Sequence, residues 1–574
     1  GGRGSGPHLG ARRRIPRRPA AGKTGSGASP KHASGARPGK APAHHARTLA
    51  FAGRRATLVA MYTRDELRWN GWGLRRRGFD LKGRDAAVWS FVAETLGLDA
   101  LPETPPRRLA EITLPTSRLE ASLLATLREV VGSERVRTDD YERAYHVLLA
   151  CAERRVAVVP YGGGASGVGG VEGRPGEGHT GCVSLDLTRM NQLLQLDTTS
   201  RTATFQAGVY GPDLERALGK RGYTLGHFPQ SFEFSTLGGW IAARGAGQQS
   251  NRYGAADHWL VAAELVAPSG AWRTLAVPHS AAGPNLNELV AGSEGTLGVI
   301  TEATVRVHET PEARDVRAYL FRSFAAGAAA IRRIVQAELP VAMMRLSDAD
   351  ESQFFGTFRA LLEPPGATRA AAERGLAVAG FGEGRCALLL GLEGDAPNVR
   401  HAKRMTAWLC AREGGLPVGT GPGESWEVRR FTTPYLRDPL LDRGVGIDTL
   451  ETATSWSNLR RLYEAVRTAL RGALGPRAAI LAHISHSYPD GASLYFTFLF
   501  AQERGDELAQ WQRVKDAASE AILAAGGTIS HHHGVGRDHK RWFDEEKGPL
   551  AVAMLRAAKA SLDPEDVLNP GKLI

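Results

Sequence analysis

The glycine-rich run YGGGASGVGG at residues 161–170 could bind a phosphate group. It follows the β-branched segment VAVVP at residues 156–160, and a strand that leads into such a loop is typical of phosphate-binding turns. Closely spaced glycines let backbone N–H groups converge on one anion without interference from Cβ atoms. The run lacks the ending of a Walker loop and the spacing of a Rossmann turn. Taken alone, it leaves a flexible loop as an equal alternative.

Three consecutive histidines, His531, His532 and His533, precede Gly-Val-Gly and could transfer protons near pH 7. On a strand, adjacent side chains face opposite ways, so at most two of the three would share one site. A metal-affinity surface patch or plain loop histidines are the alternatives. Tyr495 lies in the alternating segment SLYFTF, where its phenol could act as an acid or serve as one more core aromatic residue.

Two arginines could bind an anionic substrate. Arg345, in MMRLSD, is flanked by apolar residues, and a buried guanidinium needs an anion such as a phosphate. The alternative is an ion pair with Asp348. Arg437, in PYLRD, is a second candidate, for which the alternative is a local pair with Asp438.

Two more glycine-containing tracts could approach a flat ligand closely. In QSFEFSTLGGWIAARGAG (residues 230–247), Ser235 and Thr236 precede two glycines and an apolar helical stretch, which indicates a helix N-terminus. GSEGTLGVIT (residues 292–301) combines a tight turn with a β-branched strand.

The elements that would position these residues follow from the hydrophobic pattern. Strands are predicted at residues 156–160, 183–187 and 202–208, and helices at 118–132, 141–153 and 211–222. After residue 313, strands such as 387–394 and 493–500 alternate with long helices such as 455–474, which indicates a separate α+β domain.

In this order, the three glycine-containing elements resemble the FAD-binding domain of the vanillyl-alcohol oxidase/PCMH flavoprotein superfamily. The resemblance implies an α+β fold, with a two-lobed PCMH-type FAD-binding domain and an α+β cap domain. The loop GGGAS has no histidine that could bond the flavin, so noncovalent FAD is expected. The resemblance assigns FAD contacts to Pro160, Tyr161, Gly162, Gly163, Gly164, Ala165, Ser166, Gln230, Ser231, Ser235, Thr236, Gly239, Glu294, Gly295, Thr296, Leu297, Gly298 and Ile300.

A narrower resemblance is to the alkylglycerone-phosphate synthase family. It is carried by LRWNGWG (67–73), the 230–254 tract, PYLRD (434–438), GASLYFTF (491–498) and SHHHGVG (530–536). That family exchanges the acyl group of acyl-dihydroxyacetone phosphate for a long-chain alcohol, which forms an ether lipid precursor. The resemblance makes Tyr495 the general acid, assigns proton transfer to His531–His533, and assigns phosphate binding to Arg345 and Arg437.

The segment HISHSYPDG (residues 483–491) departs from that family and leaves an alternative open. His483 and His486 resemble a metal-binding histidine pair in FAD-linked D-2-hydroxyacid dehydrogenases. An isolated pair without a carboxylate is a weak metal site, so no metal ligand is assigned. The alternative function is an FAD-linked oxidase or dehydrogenase of a 2-hydroxy acid or alcohol.

The net charge of +12 comes from one end of the chain. Of the 72 Lys and Arg residues, 13 lie in residues 1–60, and the remaining 59 nearly balance 60 acidic residues. We therefore expect a disordered basic tail and no nucleic-acid partner; a noncatalytic polyanion-binding protein is a third hypothesis, which only this tail supports. The four cysteines form no CxxC pair, and no apolar run reaches about 20 residues.

These features predict a cytoplasmic bacterial enzyme that acts on a small-molecule or lipid substrate. They are also compatible with peripheral membrane contact and with a homodimer. The expected organisation is a tail (1–60), a helical segment (61–106), an FAD-binding domain (107–310), a cap domain (311–521) and a C-terminal segment (522–574) that returns to the FAD site.

Overall fold

The computed structural model describes residues 66–108, 111–112, 119–131 and 147–574. The basic tail and the first residues of the helix predicted at 141–153 lie outside this range. The helices with assigned bounds are α1 (Asp85–Thr95), α2 (Ala121–Val131), α3 (Gly211–Gly219), α4 (Leu237–Ala242), α5 (Ser250–Tyr253), α6 (Ala256–Trp259), α7 (Asn287–Val290), α8 (Phe324–Gln336), α9 (Ala349–Leu362), α10 (Ala367–Val378), α11 (Ala396–Arg412), α12 (Gly421–Arg429), α13 (Arg437–Leu441), α14 (Leu459–Leu474), α15 (Glu507–Ala524), α16 (Lys540–Lys547) and α17 (Pro549–Leu562).

Strands and helices are mixed along the described residues, which confirms the predicted α+β class. The strands are β1 (Val156–Tyr161), β2 (Gly181–Asp186), β3 (Leu193–Asp197), β4 (Thr202–Gln206), β5 (Tyr223–Thr224), β6 (Leu260–Ala267), β7 (Gly270–Arg273), β8 (Val299–Arg306), β9 (His308–Glu309), β10 (Ala313–Phe321), β11 (Met343–Ser347), β12 (Cys386–Gly394), β13 (Leu416–Gly419), β14 (Val445–Ser455), β15 (Ala478–Ile484) and β16 (Gly491–Ala501).

The glycine-rich loop leaves the end of a buried strand. β1 pairs in parallel with β2, and its residues 156–159 are fully buried, as the continuous apolar run VAVV requires. A second, antiparallel sheet in the order β3-β4-β8-β6-β7 carries the two further glycine tracts on its connections. Its core includes Phe205, Trp259 and Leu265, each no more than 1% exposed.

The largest sheet of the described residues is antiparallel and has seven strands. Its order is β13-β10-β12-β11-β15-β16-β14, so two neighbouring pairs, β11 with β12 and β15 with β16, are also consecutive in the chain, and the other neighbours are brought together from more distant segments. Phe496 and Phe498 of β16 and Leu388 of β12 are completely buried in its core. This packing fixes the register on which the site geometry depends.

One predicted boundary was wrong. Helix α14 begins at Leu459 and not at Ser455, because Ser455 still pairs with Gly491 at the end of β14. The helical period of buried residues starts only at Leu459 and continues through Leu462 and Val466. Among the helices of residues 66–108, 119–131 and 147–574, none is long and apolar enough to cross a membrane.

The end of the chain is held against the glycine-rich loop by a buried lysine. Lys559 of α17 pairs with Asp563 at 2.8 Å and donates to the carbonyl oxygens of Thr296 and Leu568, at 3.2 and 2.9 Å. Leu568 in turn forms a parallel bridge with Val158 of β1. The lysine therefore joins the C-terminal segment to β1 and to the turn at residues 294–296.

We predict that Lys559→Met lowers the free energy of unfolding by about 3–5 kcal/mol, because Asp563 would stay buried without its cation. Lys547→Met is the matched control, since Lys547 is 45% exposed and pairs only with Glu546. Denaturant midpoints of both variants measure the effect. Equal midpoints for the two variants would contradict the role given to Lys559.

Candidate active site

The glycine-rich loop packs so closely on its neighbours that side chains would not fit. A Cβ on Gly163 would lie 1.6 Å from the carbonyl oxygen of Phe234, and one on Gly162 would lie 2.2 Å from Oγ1 of Thr236. Gly164 has a φ of +69°, in the left-handed region that favours glycine. The sequence GGG is therefore required for contact between this loop and the Ser235–Thr236 segment.

Thr236 caps the short helix α4 and accepts a hydrogen bond from the amide of Gly239 at 3.4 Å. Ser235 Oγ accepts from the indole N–H of Trp240 at 2.7 Å. Both residues line a cavity together with the glycine-rich loop. The lining includes most of the residues to which FAD contacts were assigned: Pro160–Ser166, Gln230, Ser231, Ser235, Thr236, Gly239, Glu294, Gly295, Gly298 and Ile300.

Thr296 and Leu297 are the two assigned residues that the structure places away from this lining. Thr296 is completely buried, and its hydroxyl donates to the carbonyl oxygen of Ser293 at 2.7 Å. Leu297 is 3% exposed. Both side chains are therefore buried in the core, while Gly295 and Gly298 line the cavity.

Glu294 links the FAD-side turn to the segment after the three histidines. Its carboxylate accepts hydrogen bonds from the amides of Val535 and Gly536, the latter at 2.7 Å. Burial raises the pKa of Glu294 to about 7, although these amides oppose the shift. A Cβ on Gly536 would lie 2.0 Å from the carbonyl oxygen of Val168, so the two segments touch through their backbones.

Tyr495 sits at the centre of the cavity face of the seven-stranded sheet. It is paired directly with His483 on β15 and with Glu451 on β14, so these three side chains share one face. The ring of His483 stacks on that of Tyr495 at 4.8 Å, and His533 approaches edge-on at 5.5 Å. Burial raises the pKa of Tyr495, which keeps the phenol protonated at neutral pH.

Arg345 lies on the same face, but its carboxylate partner is not the one expected. It donates to Glu351 at 3.0 Å and lies 3.3 Å from Nδ1 of His483, whereas Asp348 pairs with Arg467. Against the effect of burial, His483 and Arg345 hold the pKa of Glu351 at about 2. Arg345 remains 28% exposed and lines the cavity, so one face of its guanidinium is open.

Arg437 begins helix α13 and is exposed at the cavity. The alternative pair with Asp438 does not form. Asp438 instead accepts hydrogen bonds from Arg68 at 3.2 Å and from the amide of Trp72 at 2.9 Å. The motifs LRWNGWG and PYLRD therefore contact each other, and that contact leaves Arg437 available to an anion.

The three histidines are not on a strand, so the expected limit of two per site does not apply. His531 and His532 turn Nδ1 toward the buried carboxylate of Glu451, whereas His533 faces Tyr495. Burial lowers the pKa of His532 and of His533, so both imidazoles are neutral near pH 7. His532 and His533 line the cavity, and His531 donates to or accepts from the Tyr488 hydroxyl at 2.8 Å.

His483 and His486 do not form a pair with each other. His483 Nδ1 lies 2.9 Å from Glu351, while His486 Nδ1 lies 3.3 Å from Glu451. Sequence reasoning missed both glutamates. The signal for Glu451 was a single acidic residue within the otherwise apolar and threonine-rich run LETATS; no comparable signal marked Glu351, which lies in the first turn of α9.

One cavity of about 1630 Å³ is lined by the glycine-rich loop and by Tyr495, Arg345, Arg437, His532 and His533. It extends from the glycine-rich loop past the Ser235–Thr236 segment to the sheet face with Tyr495 and Arg345. It then continues along apolar side chains toward α15. An elongated polar ligand and a long apolar one can meet within it.

Comparisons with known proteins match both parts of this architecture. Residues 135–276 match a family model described as an FAD binding domain, and residues 310–573 match one described as the C-terminal domain of FAD linked oxidases. The alkyldihydroxyacetonephosphate synthase of Dictyostelium discoideum is 35% identical over 443 residues, which cover 76% of this chain and 72% of that protein. The same-named protein of Trypanosoma brucei brucei is 29% identical over 568 residues, or 89% and 92% of the two chains. A solved alkyldihydroxyacetonephosphate synthase structure superposes with a TM-score of 0.73 at 28% identity and covers 88% of this chain and 98% of that one.

This chain belongs to the alkyldihydroxyacetonephosphate synthase family. Its cofactor is FAD, and the predicted PCMH-type fold is confirmed. The cradle fits the cofactor, because the backbone of Gly162, Gly163 and Gly164 and the N-terminus of α4 at Thr236 line the same cavity. The noncovalent mode of binding stays a prediction.

We predict that Gly163→Ala weakens FAD binding roughly 10- to 100-fold, because relieving the clash with Phe234 takes about 1–3 kcal/mol. Gly167→Ala is the matched control, since a Cβ there meets nothing within 4 Å. The ratio of flavin to protein absorbance after gel filtration is the measurement. Full retention of FAD by Gly163→Ala would show that the close packing is unnecessary.

Proposed function

We propose that this chain exchanges the acyl group of an acyl-dihydroxyacetone phosphate for a long-chain alcohol. The observation that carries the proposal is the single cavity that joins the FAD cradle to two arginines, a protonated tyrosine and neutral histidines. Membership of the family supports the same substrate class, because relatives that cover most of the chain bear this activity in their names.

The exchange breaks the bond between a carbon and the fatty carboxylate and forms a bond between that carbon and the alcohol oxygen. The fatty acid anion and one proton leave, and no electrons are gained or lost overall. FAD, when bound, would supply a ring that can exchange electron density with the substrate. The protein must therefore bind the phosphate, bind first the acyl chain and then the alkyl chain of the alcohol, and transfer protons.

Phosphate binding is proposed for Arg437, with Arg345 as a second contact. Arg437 has an exposed guanidinium, and its neighbour Asp438 is already engaged by Arg68. Arg345 shares its charge with Glu351 at 3.0 Å, so it contributes orientation more than net attraction. Both residues line the cavity on the sheet side of the FAD cradle.

Proton transfer is proposed for Tyr495 and His533, and His532 is proposed as a hydrogen-bond donor at the cavity. The raised pKa of Tyr495 makes its phenol an acid and not a base near neutral pH. His533 has a pKa lowered by burial, so its neutral imidazole can accept a proton from the incoming alcohol. His531 faces away from the cavity and is proposed to act through His532 and Glu451 only.

Room for the alkyl and acyl chains is proposed along the apolar part of the cavity. Phe354, Leu440, Leu481 and Phe500 line it, and so does Leu508 at the start of α15, which is 83% exposed. Peripheral membrane contact near Leu508 and a homodimer are also proposals, since they follow from the expected substrate and not from a contact in the chain.

An FAD-linked oxidase or dehydrogenase of a 2-hydroxy acid or alcohol is the second candidate. The match of residues 310–573 to the C-terminal domain of FAD linked oxidases favours it. Arg345 beside a neutral His483 could bind a small carboxylate, which requires no apolar channel.

Product analysis separates the two candidates. The FAD-loaded protein is incubated without oxygen with palmitoyl-dihydroxyacetone phosphate and deuterated hexadecanol. We expect the deuterated ether product and free palmitate in equal amounts, with no added electron acceptor. Absence of the ether, together with acceptor-dependent oxidation of D-lactate or glycolate, would replace the proposal with the second candidate.

We predict that Tyr495→Phe slows the exchange roughly 10²- to 10⁴-fold, as expected for loss of a general acid. FAD content should not change, because Tyr495 lies on the sheet and not in the glycine cradle. Tyr319→Phe is the control, since that hydroxyl is buried in the same sheet away from the cavity. A Tyr495→Phe rate within a factor of about two of the unmodified chain would exclude the acid role.

We predict that Arg437→Gln raises KM for the acyl phosphate roughly 10- to 100-fold, with a smaller effect on kcat, because a charged hydrogen bond to phosphate is worth about 1.5–3 kcal/mol. Arg460→Gln, at a side chain that is 86% exposed, is the control. Steady-state kinetics at varied acyl phosphate concentration measure the split. An unchanged KM would place the phosphate elsewhere.

A further inference from the structure

Four donor groups from three separate segments converge behind the cavity wall. A carboxylate oxygen of Glu451 and one ring nitrogen from each of His486, His531 and His532 lie within 4.8 Å of one another. Oε1 of Glu451 is 3.3 Å from Nδ1 of His486 and 3.5 Å from Nδ1 of His531, and the Nδ1 atoms of His531 and His532 are 3.4 Å apart. Tetrahedral donors held about 2.0–2.1 Å from zinc stand about 3.3–3.4 Å apart.

The tautomer of His486 is determined by its surroundings. Its Nε2 lies 3.0 Å from the carbonyl oxygen of Gly247, which can only accept, so Nε2 carries the proton. In the neutral ring, Nδ1 then directs a lone pair at the carboxylate of Glu451. Ser485 Oγ lies 2.9 Å from that nitrogen but also contacts Glu451, and one hydroxyl proton cannot serve both. A cation between the two acceptors would remove this repulsion.

The charge at this point is buried and is faced by histidines. The Glu451 side chain is 0% exposed. Within the described part of the chain, its ion-pair contacts are all to imidazoles: Oε1 faces Nδ1 of His486 and of His531, and Oε2 faces Nδ1 of His532. A buried carboxylate whose neighbours are three imidazoles offers a negative charge that a divalent cation would offset.

We propose that Glu451, His486, His531 and His532 bind one divalent transition-metal ion, with zinc as the best fit. Three imidazoles and one carboxylate favour zinc over magnesium or calcium, which prefer all-oxygen sites. Two ligands have the outer partners that metal-bound histidines need: the carbonyl oxygen of Gly247 for His486 and the hydroxyl of Tyr488 for His531. The HxxH pair of the sequence is not the site, because His483 is bound to Glu351.

The ion would fix the direction of two of the three consecutive histidines. With Nδ1 bound to the metal, His531 and His532 keep their protons on Nε2 and so act as donors and not as bases. His533 lies outside the cluster, so the ion would not determine its tautomer. The metal site stands on its own geometry and does not rest on the proposed acyl exchange.

Zinc binding to the full-length, FAD-loaded chain without an added histidine tag tests the site. The protein is stripped with EDTA, equilibrated with zinc chloride alone and analysed for bound zinc over a concentration series. We expect about one ion per chain, with nitrogen and oxygen neighbours at about 2.0–2.1 Å in X-ray absorption. Glu451→Gln and His486→Gln should each weaken binding at least roughly 10- to 100-fold.

His483→Gln is the matched control, because this buried histidine lies outside the four-residue cluster and should retain the ion. FAD content and circular dichroism identify any variant that fails to fold. If Glu451→Gln or His486→Gln fails to fold, zinc binding to the other variant is the test. An unmodified chain that binds no zinc overturns the proposal and leaves Glu451 as a proton-sharing partner of the histidines. Equal zinc loss in His483→Gln, or unchanged binding in both ligand variants, overturns the placement of the site.

Discussion

The carboxylate of Glu294 holds together the two halves of the site. It lies in the turn that lines the FAD cradle and accepts hydrogen bonds from the amides of Val535 and Gly536, directly after the three histidines. The backbone of Gly536 then touches that of Val168 in the glycine-rich loop. Because of these contacts, a C-terminal segment more than 200 residues from Glu294 is held against the glycine-rich loop, and its histidines lie next to the cavity. Every role assigned to His531–His533 depends on this connection.

The seven-stranded sheet provides the second constraint through its register. Direct strand pairing places Glu451, Tyr495 and His483 side by side in a row. A buried carboxylate lies at each end of this row: Glu351 next to His483, and Glu451 itself. At one end, Arg345 and Glu351 form an ion pair beside the cavity. At the other end, the carboxylate of Glu451 lies close to the imidazoles of His486, His531 and His532. Tyr495 lies between these two groups, and burial keeps its phenol protonated, which is the arrangement an acid needs.

The parts of the site that were predicted from the sequence are those with a local signature. The glycine-rich loop was one, because its backbone approach to Phe234 excludes any Cβ, and the strand around Tyr495 was another. Glu451 and Glu351 were missed because their partners lie about 35–130 residues away in sequence, and only the packing of the seven-stranded sheet against α9 and the histidine-containing loops brings them together. The same reason explains why His483 and His486, three residues apart, serve different carboxylates. The domain boundaries and the individual site roles stay predictions.

Anaerobic flavin absorbance tests the central claim, which is that one cavity performs an acyl exchange without net oxidation. The FAD-loaded protein is titrated in parallel with palmitoyl-dihydroxyacetone phosphate and with D-lactate or glycolate. The account predicts that the acyl phosphate alone bleaches the flavin with release of palmitate, and that hexadecanol, without any electron acceptor, restores the absorbance. Bleaching by a hydroxy acid, reversed only by an electron acceptor, would contradict it and make this chain a dehydrogenase.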